Sequence, residues 1–244
     1  MKKHLFPIAF IVLLSIIFFS FAKASSSKLI ASAKDSSITG SSAFVHEIPL
    51  SEKMFSDLNL QKIGLSQQTL DYALKGYQKL VDSGLVSNPQ YLTIADLSQS
   101  SRNKRFYIFD MKKDSLVWNT YVAHGKNSGV DRANSFSNNL NSNKSSVGFY
   151  ITESTYNGKH GLSLHIDGLE HGFNDNAEAR GVVVHGAPYV NAARVNSDYM
   201  GRSQGCPALP ENEYANVINI IKGGSVMFIY GNDSNYLNSS ALLS

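Results

Sequence analysis

The chain reads as an α+β protein dominated by β-structure. A sandwich- or barrel-like β domain follows an N-terminal helical segment and carries one further helix late in the chain. Three observations predict this. From Tyr91 onward, seven short apolar or alternating runs rich in Val, Ile, Tyr and Phe are separated by Gly, Asn, Asp and Ser, the texture of strands joined by turns. Before them, Leu70, Ala73, Leu74, Tyr77, Leu80 and Val81 recur at three- and four-residue steps, which gives a helix one apolar stripe. Late in the chain, Tyr214, Val217, Ile218 and Ile221 form a second stripe between a start signal, Pro210, and a stop signal, Gly223-Gly224.

Taken in order, residues 1–24 have the form of an export signal. Lys2 and Lys3 are followed by an apolar stretch from Leu5 to Ala22 and by the small-residue triplet Ala22-Lys23-Ala24. The stretch is also just long enough to anchor in a bilayer if it is not cleaved, and only then would a membrane be a partner. Either way the rest of the chain is expected outside the cytoplasmic membrane, in the periplasm or cell envelope. Residues 25–46 are Ser-rich and read as a flexible spacer. Residues 47–90 form the helical segment, with Ser66 as N-cap and Gly84 as terminator, packed on the main domain. Residues 91–232 make up the β domain, with strands expected at 91–97, 105–111, 116–124, 147–152, 162–166, 181–185 and 226–230. Residues 126–146 are rich in Asn and Ser and read as a long loop of the kind that often serves binding. Residues 233–244 read as a polar tail.

The full chain has 22 Lys+Arg against 19 Asp+Glu. Removing residues 1–24 takes Lys2, Lys3 and Lys23 and no acid, so basic and acidic residues become equal in number. With no long block of one sign, no nucleic-acid partner is expected. Nothing calls for an oligomer, and a monomer is expected.

The single cysteine, Cys206, can form no intramolecular disulfide. It sits in Gly201-Arg202-Ser203-Gln204-Gly205-Cys206-Pro207, a tight turn rather than an apolar strand. An unpaired thiol in an exported protein is an oxidation liability, which favours a chemical role over a packing one. Gly205 permits backbone amides to converge near the sulfur, as an oxyanion site requires. A thiol nucleophile needs a base. His185, which ends the run Val182-Val183-Val184 and lies twenty-one residues before Cys206, is the best candidate. His160, His165 and His171 are spaced by five and six residues in a Gly-rich β segment. These are not the spacings of a zinc motif, and no metal is expected.

Val183-Val184-His185-Gly186 followed by Gly201-Arg202-Ser203-Gln204-Gly205-Cys206-Pro207-Ala208 resembles the catalytic signature of the YkuD-type L,D-transpeptidases, and most closely that of the murein L,D-transpeptidase catalytic domain branch. Val122-Ala123-His124-Gly125, Ser135-Phe136-Ser137-Asn138, Ser145–Tyr150, Gly158-Lys159-His160-Gly161 and Asn174–Ala177 also look like blocks of that branch, so the likeness covers about residues 50–231. The resemblance implies a YkuD-like fold and a cysteine acyltransferase acting on peptidoglycan stem peptides. Such an enzyme cleaves between the diamino acid at position 3 and D-Ala at position 4, then passes the acyl group to another stem's amine, without metal or organic cofactor. It further implies Cys206 as nucleophile, His185 as base, the Gly186 carbonyl as orienter of His185, and the amides of Gly205 and Cys206 at the oxyanion. Arg202, Ser203, Gln204, Tyr189 and His124 are the candidate substrate-binding residues.

The sequence departs from the commonest form of the signature, having Gln204 in place of a His and Pro207-Ala208 where Asn or Arg often follows the Cys. Arg202, Arg180 or Arg194 could replace that missing arginine. Two further readings stay open: an L,D-carboxypeptidase or endopeptidase on the same stems, and a non-catalytic wall-binding protein.

Overall fold

The computed structural model describes residues 49–244. The expected signal segment and the whole of the expected spacer lie outside them. Among the described residues no helix is long and apolar enough to cross a membrane.

The helical segment comprises α1 (Leu50–Asp57), a 3₁₀ turn (Leu60–Ile63) and α2 (Gln67–Asp82). Ser66 caps α2, its side chain accepting a hydrogen bond from the Thr69 amide at 3.1 Å. The apolar stripe of α2 buries Leu70, Ala73, Tyr77 and Leu80.

Ten strands follow: β1 (Tyr91–Asp96), β2 (Phe106–Asp110), β3 (Ser115–Thr120), β4 (His124–Gly125), β5 (Gly148–Gly158), β6 (Gly161–Gly168), β7 (Val183–Ala187), β8 (Arg202–Ser203), β9 (Ala208–Pro210) and β10 (Val226–Tyr230). Helix α3 (Tyr214–Ile221) precedes β10, and α4 (Ser234–Ser239) follows it. Eight strands form one mixed sheet in the order β3-β2-β1-β10-β5-β6-β7-β9, and β4 pairs with β8 separately.

Strand alternation sorts two cores. Leu92 and Ile94 of β1 and Tyr107 and Phe109 of β2 join α1, α2 and α4 in one of them. The alternate residues, Ala95, Phe106 and Ile108, join Leu164, Val184, Leu209 and the α3 residues Val217, Ile218 and Ile221 in the other. Residues from both ends of the sheet thus share one core, so the sheet curls over itself. A bridge between Ala123, just past β3, and Ala208 on β9 links its two edges. The mainly β, barrel-like expectation holds.

Two differences from the expected elements concern chain ends and short strands. The run 116–124 divides into β3 and β4. The polar tail, residues 233–244, is instead a folded segment: α4 is capped by Asp233, whose carboxylate accepts from the Tyr236 amide at 3.0 Å, and Tyr236 and Leu243 lie in the first core.

Candidate active site

Strand pairing closes the twenty-one-residue gap between the two candidate catalytic residues. Val182, just before β7, and Val184 on it lie in the second core, which leaves Val183 and His185 on the opposite face. β9 runs parallel to β7 with His185 opposite Ala208. Cys206, two residues before Ala208, therefore arrives at the entry of β9 beside His185. The turn leading to it is fastened from the other side, where β8 pairs with β4, the Lys126 amide donates to the Ser203 carbonyl at 2.8 Å and the Ala123 amide donates to the Ala208 carbonyl at 2.9 Å.

Both residues line one cleft of about 720 Å³. Its walls are the catalytic turn, the tip of the β5–β6 hairpin (Tyr156, Gly158, Lys159, His160), the chain entering β7 (Arg180–Val183), and Asn141 and Asn143 of the long loop. The hairpin reaches the cleft because Gly158 pairs with Gly161, leaving Lys159-His160 as a two-residue turn.

The His185 Nδ1–H donates to its neighbour's carbonyl, Gly186 O, at 2.8 Å. That contact leaves Nε2 as the basic nitrogen. His160 stacks on the His185 ring with centroids 4.5 Å apart. Burial, and the nearby His160 and Lys159, hold the imidazole pKa below its ordinary value, against the raising effect of the Gly186 contact. His185 is therefore neutral at pH 7. The Cys206 thiol is directed at the Gly181 carbonyl, 3.7 Å away. Burial pushes its pKa up, partly offset by the Val183 backbone, Arg180 and Lys159. Both shifts favour the uncharged forms, a thiol and a neutral imidazole.

The turn itself is built by Ser203, whose Oγ accepts from the Gly205 amide at 3.0 Å and donates to the Cys206 carbonyl at 2.7 Å. Gly205 has φ +129°, and a side chain there would meet the Lys144 carbonyl and the Arg180 guanidinium, so the position demands glycine.

Several expectations for individual residues change. The Gly205 amide, expected at the oxyanion, is taken by Ser203, because the short turn folds its serine back onto it. Ser203, although it lines the cleft, is 5% exposed and shapes the turn through both its bonds. His124, expected to bind substrate, does not line the cleft and is fully buried. Its Nδ1 accepts from Arg105 at 2.7 Å and its Nε2–H donates to the Gly129 carbonyl at 3.1 Å, because β4 turns its side chain inward onto the buried Arg105. Arg202, Gln204 and Tyr189 do line the cleft. The Arg202 guanidinium lies 4.7 Å from the Tyr199 ring centroid and donates to the Lys126 carbonyl at 3.1 Å. Burial pushes the Tyr189 hydroxyl up to about 12.

Lys159 and His160, part of the resemblance to the family but given no place among the expected site residues, are carried to the cleft by a two-residue hairpin turn. Arg180 proves to be a loop fastener. It donates to the carbonyls of Ser137 (2.9 Å) and Lys144 (2.6 Å) and to the hydroxyls of Ser142 (3.2 Å) and Ser146, and so pins the loop 126–146 against the nucleophile turn. The histidines considered for a metal go separate ways: His160 stacks on His185, His165 on Tyr156, and His171 pairs with Asp175.

A family model described as the L,D-transpeptidase catalytic domain matches residues 61–230. No curated protein matches the chain. Among solved structures the chain is similar to an L,D-transpeptidase from Mycobacterium smegmatis, with 14% identity, 58% of this chain and 59% of that chain covered, and a TM-score of 0.37. It is similar also to one from Stackebrandtia nassauensis, with 14% identity, 75% and 77% covered, and a TM-score of 0.36. L,D-transpeptidase 1 of Mycobacterium tuberculosis shows 14% identity, 58% and 62% covered, and a TM-score of 0.34. The chain thus spans 59% of the length of the first of these. The family match, which runs from the helical segment through β10 and includes both His185 and Cys206, carries the assignment: the chain belongs to the L,D-transpeptidase catalytic domain family.

Proposed function

We propose that the protein is an exported L,D-transpeptidase that cross-links peptidoglycan stem peptides through a Cys206 thioester. The observation that carries this reading is the meeting of a cysteine and a histidine in one cleft, the imidazole held by Gly186 O so that Nε2 is free to take a proton. Because burial favours the thiol over the thiolate, deprotonation accompanies attack. Nε2 of His185 takes the Sγ proton as sulfur bonds to the stem carbonyl carbon, giving a tetrahedral oxyanion. With the Gly205 amide occupied, the Cys206 amide is the backbone donor assigned to that oxyanion. The C–N bond then breaks, His185 returns the proton to the departing D-Ala amine, and the thioester remains. An acceptor amine attacks the thioester, passes its proton through His185 to sulfur, and leaves with the acyl group. Water in place of the amine would make the enzyme a carboxypeptidase.

The test is mass spectrometry of a disaccharide-tetrapeptide incubated with the purified protein beside its Cys206→Ala and His185→Ala variants. A cross-linked dimer lacking one D-Ala is expected from the wild type and neither product nor acyl-enzyme from Cys206→Ala. Tripeptide alone would assign hydrolysis. Wild-type turnover by a folded Cys206→Ala protein would overturn the assignment of the nucleophile.

A further inference from the structure

The cleft around Cys206 is charged in one sense only. Lys126, Lys159, Arg180 and Arg202 line it, with His160 and His185, and among the described residues no Asp or Glu does. This is a local property, since acidic and basic residues balance over residues 25–244. Three acids, Glu153, Asp167 and Glu178, line a separate, smaller hollow that shares Tyr156, Gly181, Val182 and Val183 with the cleft. The β6–β7 wall therefore sorts charge, with cations on the nucleophile's side and acids beyond it.

Two of the four cations are committed within the protein. Arg180 is spent on the long loop, and Arg202 is stacked on Tyr199 and bonded to the Lys126 carbonyl. Lys126 and Lys159 are exposed and enter no ion pair among the described residues. They stand on different walls, Lys126 beside β8 and Lys159 at the hairpin tip. A protein that places unpaired cations on two walls of a cleft and keeps carboxylates out has built a field for an anion with charges at more than one point.

Resting on the reading of the cleft as the donor site, we propose that Lys126 and Lys159 select a donor peptide bearing at least two free carboxylates, so that a stem whose side carboxylates are amidated is a poorer ligand. The lysines bind these carboxylates as point charges, which suits a donor that must later leave. Neither side chain touches the sulfur or takes part in proton transfer.

The experiment measures how well each peptide protects Cys206 of the full protein from iodoacetamide, a neutral reagent. The probes are the disaccharide-tetrapeptide with free carboxylates and the same compound amidated. The free acid is expected to half-protect at a concentration roughly tenfold lower, the low end of what a charge-focusing cleft yields. The advantage should vanish at about 1 M salt, where the screening length falls to about 3 Å. It should also vanish in the double variant Lys126→Gln/Lys159→Gln and persist in Lys126→Arg/Lys159→Arg. Both lysines are exposed; because Lys159 lowers the Cys206 pKa, protection in each protein is referred to its own rate without peptide, and an unchanged melting temperature checks the fold. Equal protection by the two peptides, or a preference that survives in the Gln variant, overturns the proposal. The two readings fail apart: turnover without preference sinks the carboxylate selection, and preference without turnover sinks the transpeptidase.

Discussion

His124 shows how a residue of the right type near the right segment can serve stability instead of chemistry. Its imidazole sits between the Arg105 guanidinium and the Gly129 carbonyl, fully buried. Burial first, then the adjacent Arg105 charge, lower its pKa from 6.5 to about 4. The unfolded chain therefore takes up a proton at a higher pH than the folded one. This residue's contribution is complete above pH 6.5 and is lost as pH falls from there toward 4, in total about 3 kcal/mol. Denaturant unfolding at pH 7 and pH 4.5 should show that loss in the wild type. His124→Gln should be less stable at pH 7 and show a shallower decline, because the carboxylates titrating in this range are common to both proteins. Equal slopes in the two proteins would mean that His124 is not held neutral.

Among the elements, α2 makes the sharpest case for packing over propensity. Gly76 lies mid-helix, where glycine costs about 1 kcal/mol relative to alanine. A Cβ there would overlap the Phe149 ring, which is itself stacked on Phe228 with centroids 4.3 Å apart. Gly76→Ala should therefore destabilise by about 1–3 kcal/mol, the cost of overpacking, against the gain propensity alone would give. A denaturation midpoint at or above that of the wild type would show that the rings yield. The helix itself was legible in the sequence because its signals are local: Ser66, the stripe and Gly84 lie within twenty residues. The strand runs were legible for the same reason. β9, a strand of three residues, was not, since its only signature is its parallel pairing with β7. His185 and Cys206 could be picked out by type and flank, and Arg202, Gln204 and Tyr189 by nearness to them. Lys159 and His160 stood out only as part of a family-like block, and their place in the cleft was hidden because a hairpin carries them in from a distant part of the chain. The occupied Gly205 amide was equally hidden, being a matter of how one turn closes.

At the scale of the whole molecule, the curled sheet is held by contacts between residues far apart in sequence, and the C-terminal segment is one of the ties. Glu170, 8% exposed on the connection between β6 and β7, receives the Phe149 amide from β5 at 2.7 Å, the Tyr236 hydroxyl from α4 at 2.9 Å, and the Ser240 hydroxyl. A carboxylate that deep is tolerated because each oxygen is met by donors. Little local in residues 233–244 announces this, since Asn, Ser and Asp make up most of the residues around Tyr236 and its partner lies 66 residues away. The ring itself packs edge-on against Phe173 at 5.2 Å and lies in the core with Phe228. Tyr236→Ala should cost about 3–5 kcal/mol, as for other buried aromatic truncations. At about 2–4 °C per kcal/mol for a chain of this size, that lowers the melting temperature by roughly 6–20 °C. Tyr236→Phe keeps the ring and removes one donor from the buried carboxylate, for about 1–3 kcal/mol, so the two variants separate packing from hydrogen bonding. If Tyr236→Ala melted within about 2 °C of the wild type, less than the shift 1 kcal/mol produces, α4 would be an appendage and the Glu170 tie would contribute nothing to the fold.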